Sequence, residues 1–280
     1  MYHIAEDGFV PGNLLFADWN ALKTTDGTTT SLIAGMSRST GYIEGVSANA
    51  RFNTILSFIQ LSRSHVILTD AENHCLRSVD RTTNQTSTYS GNCTERGDKD
   101  GVDALFTWPF SMIVDLMNSQ QLIISEFNSR SLKTINTVSK HVSTIYPGRS
   151  LRYLLQDPFT GNIYVTFDHG VGIYDYQRNT FSIITGSTSS DSGFVDGEFS
   201  LLRFYFPRGL AFLSPRTLLV ADENNNRLRV LDLTTNTSSS ICSGDQGHSD
   251  GDLSSCQLSY PYSLLKVADT VYVGEREYIR

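Results

Sequence analysis

No run of about 20 apolar residues occurs in this chain, so a helical membrane span is excluded and no direct membrane insertion is expected of this segment. Residues 1–10 have neither the basic start nor the apolar centre of a secretory signal. Also missing are a Gly-x-Ser-x-Gly elbow, a phosphate-cradling P-loop and a dinucleotide-binding glycine fingerprint. The readily legible routes to hydrolysis, phosphoryl transfer and hydride transfer are thereby removed, and no catalytic residue is assigned. The six histidines, His3, His65, His74, His141, His169 and His248, show no His-x-x-x-His spacing and no Cys/His cluster. Basic residues are in the minority: 22 Lys and Arg against 29 Asp and Glu leave a net charge of −7. Such a balance argues against a surface built to neutralise phosphates, and no nucleic-acid partner is expected.

What the chain does have is 39% hydrophobic and 11% aromatic residues in 280, with Gly, Ser, Thr, Asn and Asp abundant, which suits many strands joined by turns. Its four cysteines fall into two local pairs, Cys75 with Cys93 and Cys242 with Cys256, without a CxxC spacing, so disulfides are favoured over zinc. Pairing a strand at 75–80 against one at 85–90 sets Cys75 opposite Ser90 and lets Cys93 curl back toward it. Cys242 and Cys256 bracket a glycine-rich loop and would staple it. Asn84, Asn92 and Asn236 each begin an Asn-x-Ser/Thr acceptor for N-glycosylation. Disulfides and acceptors together point to the secretory pathway, with the chain as a fragment of a longer extracellular or cell-surface protein.

One pattern recurs about every 50 residues. It opens on an apolar strand ending in an acid, found six times: 14–18 (LLFAD), 66–70 (VILTD), 122–126 (LIISE), 163–168 (IYVTFD), 218–222 (LLVAD) and 271–275 (VYVGE). An Asn-rich turn and a strand with a basic residue follow, clearest at 73–80 (NHCLRSVD) and 226–232 (NRLRVLD) and weaker at 128–136 (NSRSLKTIN). A Thr-rich outer strand then ends at Gly35, Gly91, Gly148, Gly186 or Gly244. Four links carry a Gly-x-x-acid-Gly loop, at 41–45, 97–101, 193–197 and 247–251, each with an apolar anchor downstream: Phe52, Phe106, Phe204 and Leu258. Paired glycines permit positive-φ turns, and the acid accepts backbone N–H bonds in a connection that is expected to have no strand partner. The link after the third unit lacks this loop, and the fourth unit replaces the Asn-rich turn with Asp168-His169-Gly170, which predicts an unusual rim there.

Each unit reads as four antiparallel strands, and sheets of this kind hide their faces by packing radially around a channel. The sequence resembles the NHL-repeat family, named for an Asn-His-Leu core similar to the NHCLR at 73–77. No Trp-Asp dipeptide ends a strand, which sets it apart from WD-repeat propellers. The resemblance implies an all-β, six-bladed β-propeller of four-stranded antiparallel blades, as a single domain over 1–280. Its last blade is incomplete, because Arg280 falls within the third strand of that blade. The acids ending the second strands, Asp18, Asp70, Glu126, Asp168, Asp222 and Glu275, lie near one face, where they either favour a cation or cap the turns and pair with Arg77 and Arg229.

Function is expected to be extracellular recognition of a protein, peptide or glycan, without a cofactor, and not catalysis. Trp108, Tyr205, Tyr260 and His169 are the candidate ligand-binding residues, against the simpler reading that link aromatics such as Phe110, Phe206 and Tyr262 pack between blades. The alternative is a metal-dependent propeller enzyme similar to the peptide-amidating lyases or the lactonases, with calcium or zinc in the central channel. Spacing alone leaves a metal site there undetermined, since residues about 50 apart converge in such a fold. A third reading, from the tripartite-motif NHL proteins that bind RNA through a basic face, runs against the acidic balance.

Overall fold

A computed structural model describes residues 2–187, 191–242 and 245–280. Gly244, one of the expected strand-ending glycines, lies outside the described residues. The described chain is built of β-strands with three short 3-10 turns, and it divides into two compact units, Tyr2–Leu151 and Arg152–Arg280.

The unit Tyr2–Leu151 holds three antiparallel sheets whose strands pair in chain order. Sheet one comprises His3–Glu6, Leu14–Asp18, Ala21–Thr25 and Thr30–Gly35. Sheet two comprises Ile55–Ser62, His65–Asp70, Cys75–Asp80 and Gln85–Ser90, and sheet three Pro109–Val114, Gln121–Glu126, Ser131–Asn136 and Val142–Pro147. Their second strands are apolar on consecutive residues because both faces are covered. In sheet two, Val66 and Leu68 join a core with Leu15, Leu22, Phe52 and Phe58, while Ile67 between them joins a different core with Phe106, Met112, Leu122 and Ile124. Side chains alternate across a strand, so one strand serves two cores. Each such buried aliphatic or Phe side chain contributes about 1.5–3 kcal/mol.

The unit Arg152–Arg280 repeats this logic. Sheet four comprises Leu151–Gln156, Ile163–Phe167, His169–Asp175 and Thr180–Ser187, and sheet five Pro207–Ser214, Thr217–Asp222, Arg227–Asp232 and Thr237–Ile241. Leu218 and Val220 face one core, Leu219 and Ala221 another. The sixth sheet has two strands, Ser263–Val267 and Thr270–Gly274. Among the described residues there are thus five sheets built on four antiparallel strands, two of them with a short fifth strand, and a small sixth, where six blades were expected. Residues 276–280 supply only the opening of a third strand there, with Arg280 exchanging both backbone bonds with Val273.

The acid loops work differently from the expectation. Gly45–Val46 and Gly197–Glu198 each pair as a short fifth strand on the outer edge of sheets two and five, and Gly101 bridges Val142 of sheet three. The loop acid then clasps that fourth strand: Glu44 accepts from the N–H and hydroxyl of Thr88, and Asp100 from those of Thr144. The link therefore has a strand partner, whose outer backbone groups it satisfies. Gly35, Gly91 and Gly186, at fourth-strand ends, hold φ of 86°, 89° and 94°, which explains the glycines of the repeat.

The Asn-His-Leu core divides its labour. Asn73 and Asn225 donate to the loop carbonyls of Gly41 and Gly193 and to Asp70 and Asp222. The next residues, His74 and Asn226, sit in the left-handed region and accept the N–H of Trp108 and Tyr260 on the following link. Asn20 does the same for Thr54.

Disulfides join Cys75 to Cys93 and Cys242 to Cys256, with Cα separations of 5.0 and 4.6 Å. The predicted register is off by one: Leu76, not Cys75, faces Ser90, because a bulge between Leu76 and Arg77 shifts the pairing.

Candidate functional site

The strand-ending acids are the first place to look for a cation, and the structure spends them on protein partners. Fully buried Asp70 accepts from Asn53 N at 2.7 Å and from Arg77 at 3.1 Å; Asp222 accepts from Tyr205 N at 2.9 Å and Arg229 at 3.0 Å. Glu126 holds Thr107 N, Ser129, Ser131 and Lys133, and Glu275 holds Ser259 N, His248 and Arg280. Burial pushes Asp70 and Asp222 up to about 6, against the pull of these donors. Among the described residues no group of three or more His, Cys, Asp or Glu side chains is arranged to hold a metal ion. Asp70, Glu126, Asp222 and Glu275 are joints that tie the incoming link to the strand end.

A different constellation stands out in the unit Arg152–Arg280. The first strands of sheets two, three and five carry a bulge just after their first residue, at Leu56, Phe110 and Arg208. Arg152 occupies the same slot of sheet four: Tyr153 N donates to Thr166 Oγ1 as Ser57 N does to Thr69 Oγ1 and Ser111 N to Ser125 Oγ. Both guanidiniums are recessed, with 8% and 13% of the side chain exposed. Arg152 stacks 4.7 Å over Phe206 and bonds Asp168 at 3.1 Å; Arg208 stacks 4.7 Å over Tyr262 and pairs with Glu223. Gly209 brings Tyr262 into place, since a Cβ there would lie 2.8 Å from Leu264 N.

Burial, and next to it the charge of Arg208, hold Arg152 below the ordinary arginine value. Burial opposes Arg208 too, but Glu223 outweighs it and raises the group. His169 packs 5.1 Å from Phe206 and 6.0 Å from Tyr205, and those two rings stack at 5.3 Å. Among the described residues its buried Nδ1 has no hydrogen-bond partner, and burial lowers its pKa, which favours the neutral ring. Chemically the cluster offers two planar cations, a neutral imidazole and an aromatic face. Groups of this kind can accept an anion or stack on a ring.

Residues 204–231, which run through Phe204, Arg208, Asp222 and Arg229, match the model of the NHL repeat. An auxiliary nutrient binding protein from Bacteroides ovatus ATCC 8483 superposes with a TM-score of 0.73 at 13% identity, over 98% of this chain and 66% of that one. This chain therefore spans just under two thirds of that protein. A chain of the nidogen/laminin complex gives a TM-score of 0.62 at 13% identity, over 94% of this chain and 85% of that one. A second auxiliary nutrient binding protein, from Bacteroides thetaiotaomicron VPI-5482, gives 0.52 at 12%, over 93% and 81%. No curated protein matches the sequence. The fold is a β-propeller, and its residues 204–231 are an NHL repeat.

Of the four aromatic candidates in this propeller, the structure brings two together, His169 and Tyr205, the latter with its ring 38% exposed. Tyr260 lies on the next link, half-buried, its N–H held by Asn226. Trp108 belongs to the unit Tyr2–Leu151, half-buried in the left-handed region, with its N–H on His74 and its carbonyl accepting from Phe127. Sequence reasoning missed Arg152, Arg208 and Glu223. A signal existed, since each arginine is the second residue of a first strand, but finding it requires aligning the bulges. Asn84 and Asn236 share one turn position at φ 55°, Asn236 exposed and Asn84 half-buried, and Asn92 is exposed on a separate turn.

Proposed function

We propose that this propeller is an extracellular or cell-surface recognition module that binds a protein, peptide or glycan through the rim formed by Arg152, Arg208, His169 and Tyr205. The observation that carries the reading is the replacement of Leu56 and Phe110 by two stacked arginines at an equivalent backbone position. A stacked, recessed cation beside an exposed ring is poor core and good receptor. Supporting it, two proteins named for nutrient binding and a chain of a complex with laminin share the fold. Fold likeness at this identity is an analogy, so the site bears the weight.

In this reading residues 1–280 are one NHL-type propeller within a longer extracellular protein, and the sixth sheet is the beginning of a sixth blade. The disulfides support an oxidising compartment, in which Asn84, Asn92 and Asn236 would carry glycans. The test is a screen of the folded, secreted chain against arrays of extracellular proteins, peptides and glycans, with an Arg152→Gln/Arg208→Gln chain alongside. Selective retention that the double variant loses is the expected result. Retention of nothing above background by the native chain overturns the reading.

A further inference from the structure

The recognition rim described above also defines what kind of group it takes, and this step rests on that reading. We infer that the rim binds a carboxylate carried on a flexible stem, the side chain of an acidic residue in a peptide segment, which enters between Arg152 and Arg208. Four features of the site lead there.

First, the two guanidiniums lie close enough for the charge of Arg208 to act on Arg152, with Asp168 and Glu223 opposing it. Such repulsion is relieved by an anion placed between them. Second, each guanidinium is fixed before any ligand arrives, by a ring below it and a carboxylate beside it, Phe206 and Asp168 for one, Tyr262 and Glu223 for the other. A planar cation held in this way suits the planar, two-oxygen carboxylate, and little side-chain entropy remains to be lost on binding. Third, the imidazole of His169, against the Phe206 ring that carries Arg152, has a buried Nδ1 with no partner among the described residues. In the tautomer with hydrogen on Nδ1 it donates to the ligand. Fourth, the guanidiniums are recessed, whereas Tyr205, stacked on the Phe206 ring that carries Arg152, is exposed. A carboxylate on one or two methylenes reaches past that ring. The carboxylate of a uronic acid is attached directly to its pyranose and cannot enter without the sugar.

The experiment measures fluorescence anisotropy of three labelled probes on the folded chain: a Gly-Glu repeat peptide with blocked ends, its Gly-Gln counterpart, and a glucuronate oligosaccharide. The Gly-Glu probe is expected to bind at least about tenfold more tightly than the Gly-Gln probe, a difference of about 1.4 kcal/mol. Arg152→Gln and Arg208→Gln are each expected to lose about tenfold of that affinity, with Arg208→Lys in between because the planar fork is gone. Arg178→Gln, on an exposed turn of sheet four, serves as the charge control and binds as the native chain does. Thermal melts establish that each variant is folded; if Arg152→Gln is not, Arg208→Lys and His169→Phe carry the test. Equal binding of the two peptides, unchanged binding by the arginine variants, or no binding of the Gly-Glu probe overturns the inference. So does binding of the glucuronate alone, although the recognition reading then survives. A partner that the arginine variants still hold removes this rim from both readings, and a screen that finds none removes both as well.

Discussion

Leu56 and Phe110 in one unit, and Arg152 and Arg208 in the other, occupy the same bulged position of the same kind of strand. In the unit Tyr2–Leu151 the slot is filled by apolar side chains, and Phe110 is 4% exposed. In the unit Arg152–Arg280 it is filled by cations that need Phe206, Tyr262, Asp168 and Glu223 around them. The acid–cation joints do the opposite, for Asp70–Arg77 and Asp222–Arg229 are near copies, fully buried at 3.1 and 3.0 Å. A repeat fold separates the two roles in this way: what recurs in every copy serves the architecture, and what departs in some copies is open to use.

The strongest way to test that division is to break a recurring joint in each unit. Arg77→Met and Arg229→Met each leave a buried carboxylate without its cation, and each is expected to cost about 3–5 kcal/mol by chemical denaturation. Restoring an apolar pair with Asp70→Leu/Arg77→Met should recover much of that loss; a far smaller cost for Arg229→Met would show that the two joints are not equivalent. Next in size are the staples. Replacing Cys75 and Cys93, or Cys242 and Cys256, by serine is expected to cost about 3 kcal/mol per bridge in the chain-entropy estimate, read as the fall in the denaturant midpoint.

Smaller again is an effect of pH confined to the unit Tyr2–Leu151. Burial lowers His3, edge-on to Phe58 at 4.6 Å, from 6.5 to about 4. The unfolded chain therefore binds this proton more readily than the folded one. The contribution of the neutral ring is complete above 6.5 and is lost progressively as pH falls from 6.5 toward 4. His3→Phe should flatten the stability profile in that window relative to the native chain, and parallel profiles would refute the assignment. The smallest expected effect is that of a chelator. Metal analysis after dialysis should find no stoichiometric zinc or calcium, and EDTA should leave the melt unchanged, because the strand-ending acids already have protein partners. Near-stoichiometric metal with an EDTA-sensitive melt would reopen the enzyme reading.

Much of the fold was legible because its determinants are local and repeated. Strands such as 66–70 and 218–222 announce burial on both faces, and Asn73, Asn225 and the strand-ending glycines mark turns whose φ values favour them. The pairing of the cysteines followed from proximity in sequence, but their register did not, because a bulge leaves no mark in composition. The clasp of Glu44 on Thr88 was hidden by distance, and the loop read as a free turn until its strand partner was seen. For the site, Trp108 drew notice as a link aromatic, and the structure shows its backbone held by His74 and Phe127. Arg152 and Arg208 look like ordinary strand arginines until the sheets are laid over one another.

The clasp has a consequence for how this protein is made. Glu44 and Thr88, like Asp100 and Thr144, are 44 residues apart, and the acid is always synthesised first. At the usual pace of translation, roughly two to nine seconds separate the two ends of each clasp. Throughout that interval the link has no edge to close upon, and each sheet is sealed from behind by the segment that preceded it. Biosynthesis thus imposes an order in which sheets two and three wait for their last strand before their first connection becomes permanent.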